Sequence, residues 1–173
     1  MTTQVNISEK TATELFCEAF GAQAAGVAII TAEGSDGLPG GLTISSLSSV
    51  SAEPPIVSFS FKDRTGSAAR IIDADSFLIH LIGADNIEVA KLFSVSKADK
   101  FGDTSTWDRL PTGEPLLHGV SRVLRIRPLG TLNAGPAVVF TAEVTDFIRH
   151  DANAAPTVYH ARRFHGLGDH SAL

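Results

Sequence analysis

The chain has 173 residues, of which 43% are apolar, and its 19 acidic and 14 basic side chains give a formal net charge of −5. A chain of this length can bury on the order of 70% of its unfolded surface, so we expect one domain over residues 1–173 that needs neither a disulfide nor a structural metal. The acidic balance argues against a nucleic-acid-binding surface, because such a surface needs clustered cations that displace counterions.

Residues 1–21 are predicted to form an N-terminal amphipathic helix. Ser8 is its candidate N-cap and Gly21 its candidate end. Between them, apolar residues recur at the spacing of one helix face, at Ala12, Leu15, Phe16, Ala19 and Phe20. The segment lacks the features of a secretion signal, and no apolar run approaches the roughly 20 residues of a membrane span. We therefore expect a cytoplasmic protein without membrane contact.

Strand patterns dominate the rest of the chain. A buried strand at 26–31, a turn at 33–37 and a second strand from Leu38 predict a hairpin. Alternating or continuously apolar residues predict the remaining strands at 56–61, 77–82, 120–127 and 138–145, with a last strand and tail within 157–173.

Helix signals are few and short. One or two helical turns are predicted at 66–73, and a helix capped by Asp85 is predicted at 85–93. Residues 94–117 are predicted to be mostly loop. Six or seven strands without regular βαβ alternation favour a mainly β fold, a closed or partly closed barrel with short peripheral helices.

The first candidate binding segment is residues 40–51, which carry six hydroxyl side chains and two glycines at the end of a predicted strand. Small side chains let a flat ligand approach the backbone, and hydroxyls can bond a ring edged with carbonyls and nitrogens. Such a segment is equally typical of a serine-rich loop that makes its own turns. Composition alone does not separate these two interpretations.

The second candidate segment is residues 60–67, which leave a strand and enter a helix. It combines Lys62 and Arg64 with hydroxyls and a glycine, and a phosphate monoester is bound by such cations and by free N–H donors. The structural alternative is a capped helix in which Asp63 pairs with a lysine or arginine.

Other chemistry is weakly indicated. His80 lies in an apolar strand and is predicted to be a core histidine, and His118 and His150 lack partners at metal-ligand spacing, so no metal site is expected. Nucleophile-elbow, phosphate-loop and dinucleotide-binding motifs are absent. The tail at 158–166 gathers aromatic, imidazole and guanidinium groups, which suit either an anionic or aromatic ligand or a last strand with a solvated basic end.

Several motifs, in this order, resemble the short-chain flavin reductases of the FMN-binding split-barrel superfamily. These enzymes are the small partners of two-component flavin-dependent monooxygenases. The resemblance extends from Gly26 to Gly166. It rests on 41–51 with Glu53-Pro54-Pro55, the turn 62–67, the strand 77–81, Asp99-Lys100-Phe101, Trp107, the segment 113–119, and Tyr159-His160 with Arg162 or Arg163 and Phe164.

The resemblance implies a Greek-key-like split β-barrel and a homodimer with flavin, FMN or FAD, in a groove at the subunit interface. By position, the isoalloxazine and ribityl portion would contact Thr43, Ile44, Ser45 and Ser46. The phosphate end would be surrounded by Ser60, Phe61, Lys62, Thr65, Gly66 and Ser67. Both candidate segments would then serve one ligand.

The implied activity is NAD(P)H-dependent flavin reduction, with reduced flavin passed to a partner monooxygenase. Family members usually carry Gly-Asp-His before the penultimate long strand, where this chain has Ala134-Gly135-Pro136, so we expect slower nicotinamide-dependent turnover. His160, Arg162 and Arg163 are the candidates for the nicotinamide side. A flavin-storage protein, or an enzyme that reduces a nitro or quinone compound, remains an alternative, as does either choice of NADH or NADPH.

Overall fold

The computed structural model describes residues 10–150 and 154–172, and β-strands are their main element. The strands are β1 (Ala25–Gly26), β2 (Ala28–Glu33), β3 (Pro39–Ile44), β4 (Ser48–Ala52), β5 (Pro55–Phe61), β6 (Phe77–Leu81), β7 (Trp107–Arg109), β8 (Pro115–Leu117), β9 (Arg122–Ala134), β10 (Ala137–Arg149), β11 (Thr157–His160) and β12 (Arg163–Gly166). The α-helices are α1 (Ala12–Gly21), α2 (Gly66–Ile71) and α3 (Ile87–Ser94). None of these helices is long and apolar enough to cross a membrane.

Seven strands form one antiparallel sheet in the order β3-β2-β6-β9-β10-β5-β4. Hairpins connect β2 to β3, β4 to β5 and β9 to β10, and the first of these confirms the hairpin predicted from the strand at 26–31 and the strand that begins at Leu38. A smaller sheet has the order β1-β11-β12, and β7 pairs with β8. The predicted mainly β fold with few short helices is therefore confirmed.

The large sheet curls around a core of phenylalanine rings. Phe59, Phe61, Phe77 and Phe140 are at most 1% exposed, and Phe59 stacks on Phe140 with ring centroids 4.9 Å apart. Strands β2, β3, β5, β6, β9 and β10 all contribute buried side chains to this cluster. A sheet whose separate strands meet in one apolar cluster must be strongly curved, as in a barrel.

A second apolar cluster lies on the other side of β2 and β6. Phe93 of α3 packs there with Ile29 and Leu78, so α3 covers the outer face of the sheet. The successive residues Leu78 and Ile79 enter different clusters because neighbouring side chains of a strand point to opposite faces. This two-sided burial explains why apolar residues follow one another along β2 and β6, with Thr31 and His80 as buried polar residues among them.

The helix starts differ from the sequence predictions. Ser8 lies outside the described residues, and the N-cap of α1 is Thr11, which exchanges hydrogen bonds with Glu14 in a capping box. Asp85 does not cap α3, because a 3₁₀ turn over Ala84–Asn86 precedes the helix. The Asn86 backbone N–H closes that turn by donating to the Gly83 carbonyl at 3.0 Å, and the Asn86 side-chain amide donates to the Gly119 carbonyl at 2.9 Å.

The C-terminal segment is a hairpin rather than one strand. β11 and β12 pair antiparallel across a two-residue turn, Ala161-Arg162. Both turn residues have positive φ, 47° and 63°, which is rare outside glycine, asparagine and aspartate. The backbone N–H of Ala161 donates to the Gly21 carbonyl at 3.1 Å, which ties the hairpin to the end of α1.

His80 is fully buried in β6, as the sequence predicted for a core histidine. Its Nε2 accepts from the Leu117 N–H at 3.0 Å, so the neutral ring carries its proton on Nδ1 and donates to the Ile29 carbonyl at 3.2 Å. Burial lowers the pKa of His80 from 6.5 to about 4. The imidazole therefore stays neutral in the folded protein under mildly acidic conditions.

We expect His80 to make the fold sensitive to acid. The unfolded chain takes up a proton as pH falls below 6.5, whereas folded His80 resists protonation until about pH 4. The contribution of neutral His80 to the free energy of unfolding is complete above pH 6.5, the pKa of histidine in the unfolded chain. About 3 kcal/mol of that contribution is lost as pH falls from 6.5 to about 4. In urea denaturation, wild type should be more stable than His80→Gln at neutral pH, and the difference should shrink as pH falls.

His118→Gln is the control for this measurement. A hydrogen bond from the exposed His118 ring to Asp108 raises the pKa of His118. The contribution of His118 to the free energy of unfolding should therefore be lost as pH rises, which is opposite to the pH dependence expected for His80. A His80→Gln difference that is constant with pH would contradict the prediction.

Candidate functional site

An open cavity of about 1190 Å³ lies where the two candidate binding segments meet. The end of β3, the end of β5, the start of α2, α3 with the following loop, and the β11–β12 hairpin all contribute to it. Its lining includes Thr43, Ile44, Ser45, Ser46, Ser60, Lys62, Thr65, Gly66, Ser67, Arg162 and Arg163, eleven of the residues predicted for the site. Residues 43–46 and 60–67 thus come together although they belong to different hairpins.

Two predicted site residues do not line the cavity. Phe61 is fully buried, because alternation along β5 directs its ring into the phenylalanine core, so only its main chain could meet a ligand. His160 lies on β11 beside His165, with ring centroids 5.8 Å apart, and is outside the lining. The same hairpin instead contributes Tyr159 and Phe164 to the lining, aromatic residues of the tail at 158–166 that were not among the candidates for the nicotinamide side.

The hydroxyl groups at the end of β3 have different roles. Thr43 Oγ1 donates to the Ala90 carbonyl of α3 at 2.6 Å. Ser46 Oγ donates to the Ser60 carbonyl at 3.1 Å and accepts from the Ser60 N–H at 2.9 Å, so it links the two candidate segments. Ser45 is exposed at the cavity, and its hydroxyl has no hydrogen-bond partner within the described residues. Its side chain is therefore available to a ligand.

The glycines of β3 serve helix packing rather than ligand approach, contrary to the expectation for residues 40–51. A Cβ atom on Gly40 would lie 2.4 Å from Ile71 of α2, and one on Gly41 would lie 2.8 Å from Phe93 of α3. Both positions are buried. The absence of side chains lets two helices lie directly on the strand.

The turn after β5 is closed by hydrogen bonds between Asp63 and Thr65 rather than by a salt bridge. Asp63 Oδ1 accepts from the Thr65 N–H at 3.0 Å and from Thr65 Oγ1 at 2.6 Å, and these bonds lower the pKa of Asp63. In the described part of the chain, neither Asp63 nor Lys62 forms a salt bridge. No salt bridge among these residues joins Asp63 to a lysine or arginine, so the salt-bridged alternative is wrong, although the nearby Lys62 charge contributes to the lowered pKa of Asp63. The turn organises itself, and the Lys62 ammonium can still bind another partner.

Lys100 is a site residue that sequence reasoning did not select. It is only 8% exposed, and its Nζ donates to Ser67 Oγ at 2.9 Å and to the Gly41 carbonyl at 3.1 Å. Burial lowers the pKa of Lys100, and among residues 10–150 and 154–172 no carboxylate forms a salt bridge with it. An anion bound beside Ser67 would compensate this buried charge.

The cavity as a whole is cationic. Lys62, Lys91, Lys100, Arg162 and Arg163 face it, and among the described lining residues Asp63 is the single carboxylate. Lys91 is already paired with Glu88, at 2.6 Å, but the balance still favours ligands with several negative charges. The described residues contain no group of three or more metal-binding side chains.

Ala134-Gly135-Pro136, the segment expected beside the nicotinamide, forms the connection between β9 and β10. Gly135 has φ 60°, a conformation suited to a tight hairpin turn. None of its three residues lines the cavity. The neighbouring Asn133 instead accepts a hydrogen bond from Arg64, so the hairpin tip lies against the turn that follows β5.

Comparisons with known proteins identify the family to which the chain belongs. Residues 20–168 match the Flavin reductase like domain family. The chain is 37% identical over 148 residues to the NADH:FMN oxidoreductase of Rhodococcus erythropolis, covering 82% of this chain and 74% of the relative. It is 34% identical over 141 residues to the reductase component of 4-nitrophenol 4-monooxygenase/4-nitrocatechol 2-monooxygenase of Rhodococcus opacus. That match covers 82% of this chain and 74% of the relative.

A solved structure shares the fold. The flavin reductase domain protein of Arthrobacter sp. FB24 superposes with a TM-score of 0.83 at 30% identity, over 90% of this chain and 96% of that one. The chain belongs to the flavin reductase-like domain family, and the resemblance inferred from the sequence motifs is confirmed.

Proposed function

We propose that the protein is an NAD(P)H:flavin reductase that delivers reduced FMN or FAD to a partner monooxygenase. The observation that carries the proposal is the cavity shared by residues 43–46 and 60–67, with Lys100 buried at its edge. Family membership and the activities of the two Rhodococcus relatives support the same reaction.

The flavin phosphate is assigned to the end of the cavity that contains Lys62, Ser67 and Lys100. A phosphate there would accept hydrogen bonds from the two ammonium groups and the Ser67 hydroxyl. Ser45 would contact the ring and ribityl portion at the other candidate segment. The residues present thus fit a long ligand with a flat ring, edged with carbonyls and nitrogens, at one end and a dianion at the other.

The nicotinamide nucleotide is assigned to the side of the β11–β12 hairpin. Arg162 and Arg163 supply cations for its phosphates, and Tyr159 and Phe164 supply aromatic surface, with ring centroids 5.1 Å apart. When bound, the two nucleotides would supply the redox chemistry, a hydride transfer from the nicotinamide to the flavin. The chain's contribution is to hold the two rings in contact and to balance negative charge on the reduced flavin.

An assay with alternative acceptors tests the proposed reaction. Oxidation of NADH or NADPH should depend on added FMN or FAD and should be saturable in flavin. Flavin binding without nucleotide oxidation would indicate a storage protein, and faster oxidation with a nitro or quinone compound than with free flavin would indicate a different acceptor. Either result would contradict the proposal.

The phosphate assignment predicts a selective effect of Ser67→Asp. A carboxylate at this position would pair with Lys100 and repel the phosphate, so FMN affinity should fall by more than about tenfold. Riboflavin, which lacks the phosphate, should lose less than about threefold. Titration of each variant by flavin fluorescence measures both values.

Ser48→Asp is the matched control, because Ser48 is exposed on β4 and outside the cavity lining. Equal losses of FMN and riboflavin in Ser67→Asp would place the phosphate elsewhere.

The proposed enzyme is a homodimer, with α1 as part of its interface. No α1 residue is buried, and Leu15, Phe16 and Phe20 are 44%, 62% and 60% exposed on one face. Since the N–H of Ala161 bonds to the last residue of α1, a second subunit that covers α1 would lie close to the cavity mouth. A helix face that exposes several large apolar side chains is characteristic of surfaces that contact another protein.

Replacing both Phe16 and Phe20 with aspartate should therefore separate the subunits. Light scattering should give twice the chain mass of 18.2 kDa for wild type and a single chain mass for the double variant. Glu18→Gln changes a charge on the side of α1 that faces away from both phenylalanines and should remain dimeric. A wild-type monomer, or a double variant that stays dimeric, would refute this interface.

A further inference from the structure

Residues 95–106 form the loop that connects α3 to β7, and they carry Lys100. A phosphate bound beside Ser67 needs the Lys100 ammonium at a fixed position, because a charge-assisted hydrogen bond depends strongly on distance and angle. The lysine side chain is long and flexible, so the position of its ammonium depends on what holds the surrounding main chain. The contacts that this loop makes with the rest of the fold therefore bear on the phosphate end of the cavity.

Trp107, the first residue of β7, forms a hydrogen bond that ties this loop to the rest of the fold. Its indole Nε1 donates to the Phe101 carbonyl at 3.1 Å, one residue after Lys100. The Phe101 N–H bonds within the loop, to Asp99 Oδ1 at 3.4 Å. Among the described residues, the bond from Trp107 is the one hydrogen bond that joins the main chain of residues 96–102 to another part of the chain.

Aromatic packing accompanies this hydrogen bond. The Phe101 ring lies edge-on to both Phe93 and Trp107, with centroid distances of 5.3 and 5.2 Å. Lys100 Nζ lies 6.0 Å from the centroid of the Phe93 ring, at the outer limit of a cation–π contact. Trp107 thus contacts the residue after Lys100 twice, at its carbonyl oxygen and at its ring.

Trp107 is itself fixed by the β7–β8 pair. It lies opposite Leu117, whose side chain is 2% exposed, and it packs in the second apolar cluster. The Leu117 N–H in turn bonds to the buried His80 ring. Trp107 does not line the cavity. An effect of Trp107 on a ligand in the cavity must therefore pass through the loop that carries Lys100.

We propose that Trp107 is a positioning residue for the flavin phosphate, an assignment that rests on the proposed function. By holding the Phe101 carbonyl and ring, it keeps the Lys100 ammonium beside Ser67 before the ligand binds. A cation that is already in place binds a phosphate without the cost of ordering the loop. If Trp107 only filled the apolar cluster, its loss would destabilise the fold and would not distinguish phosphorylated from unphosphorylated flavin.

The test compares FMN and riboflavin binding by calorimetry in wild type and in Trp107→Phe, which keeps an aromatic ring and lacks the N–H donor. FMN affinity should fall about fivefold, because one hydrogen bond that orders the loop is lost, whereas riboflavin affinity should change less than about twofold. Leu116→Ala is the matched control, because Leu116 is half-buried in the same cluster and outside the cavity lining. It should lower the urea midpoint and leave the ratio of FMN to riboflavin affinity unchanged.

A double-mutant cycle with Lys100→Met tests whether Trp107 acts through the lysine. Lys100→Met alone should weaken FMN more than about tenfold and riboflavin less than about twofold. Adding Trp107→Phe to that variant should weaken FMN less than about twofold further, because the effects of two residues that act through one group are not additive.

The outcomes separate this inference from the proposed function. Equal losses of FMN and riboflavin in Trp107→Phe would overturn the inference, and so would a fivefold loss of FMN that persists in the Lys100→Met background. An unchanged ratio of FMN to riboflavin affinity in Lys100→Met would overturn the inference together with the phosphate assignment. Absence of flavin binding by wild type would overturn the proposed function itself.

Discussion

The close packing of two helices on β3 is the constraint on which the site depends. Gly40 and Gly41 leave no room for a Cβ, so α2 and α3 rest directly on the strand backbone. This contact brings Ser67, at the start of α2, and Lys100, on the loop after α3, within 2.9 Å of each other. The Gly41 carbonyl then accepts a hydrogen bond from Lys100, so the same glycine that makes room for α3 also binds the cation.

The buried lysine carries an energetic cost that the fold tolerates. An ammonium removed from water without a carboxylate partner disfavours its own charged form, and this is the origin of the lowered pKa of Lys100. Two oxygen acceptors offset part of that cost, but neither of them carries a formal charge. A bound anion would make the charge of Lys100 favourable, because the ammonium group is already in place and the protein would not have to reorganise to bind the anion.

Local patterns predicted most of the strands, the hairpin at 26–44 and the two segments that meet at the cavity. Strand alternation is a local signal, and it also indicates that Phe61, next to two cavity residues, points into the core. Local patterns could not predict that Lys100 is a site residue, because it lies in a loop 33 residues from Ser67. Only the packing of α2 and α3 brings the two residues together. The role of Gly40 and Gly41 was misread for the same reason, since the sequence does not display what covers a strand.

Trp107, the chain's single tryptophan, gives the cavity an internal optical reporter. Its Nε1 donates to the Phe101 carbonyl at 3.1 Å, one residue after Lys100, and its ring lies edge-on to that of Phe101. Indole emission responds to the hydrogen bonding and polarity around the ring. Movement of the loop that carries Lys100 would therefore be visible as a change in intrinsic fluorescence from one known position, without any attached label.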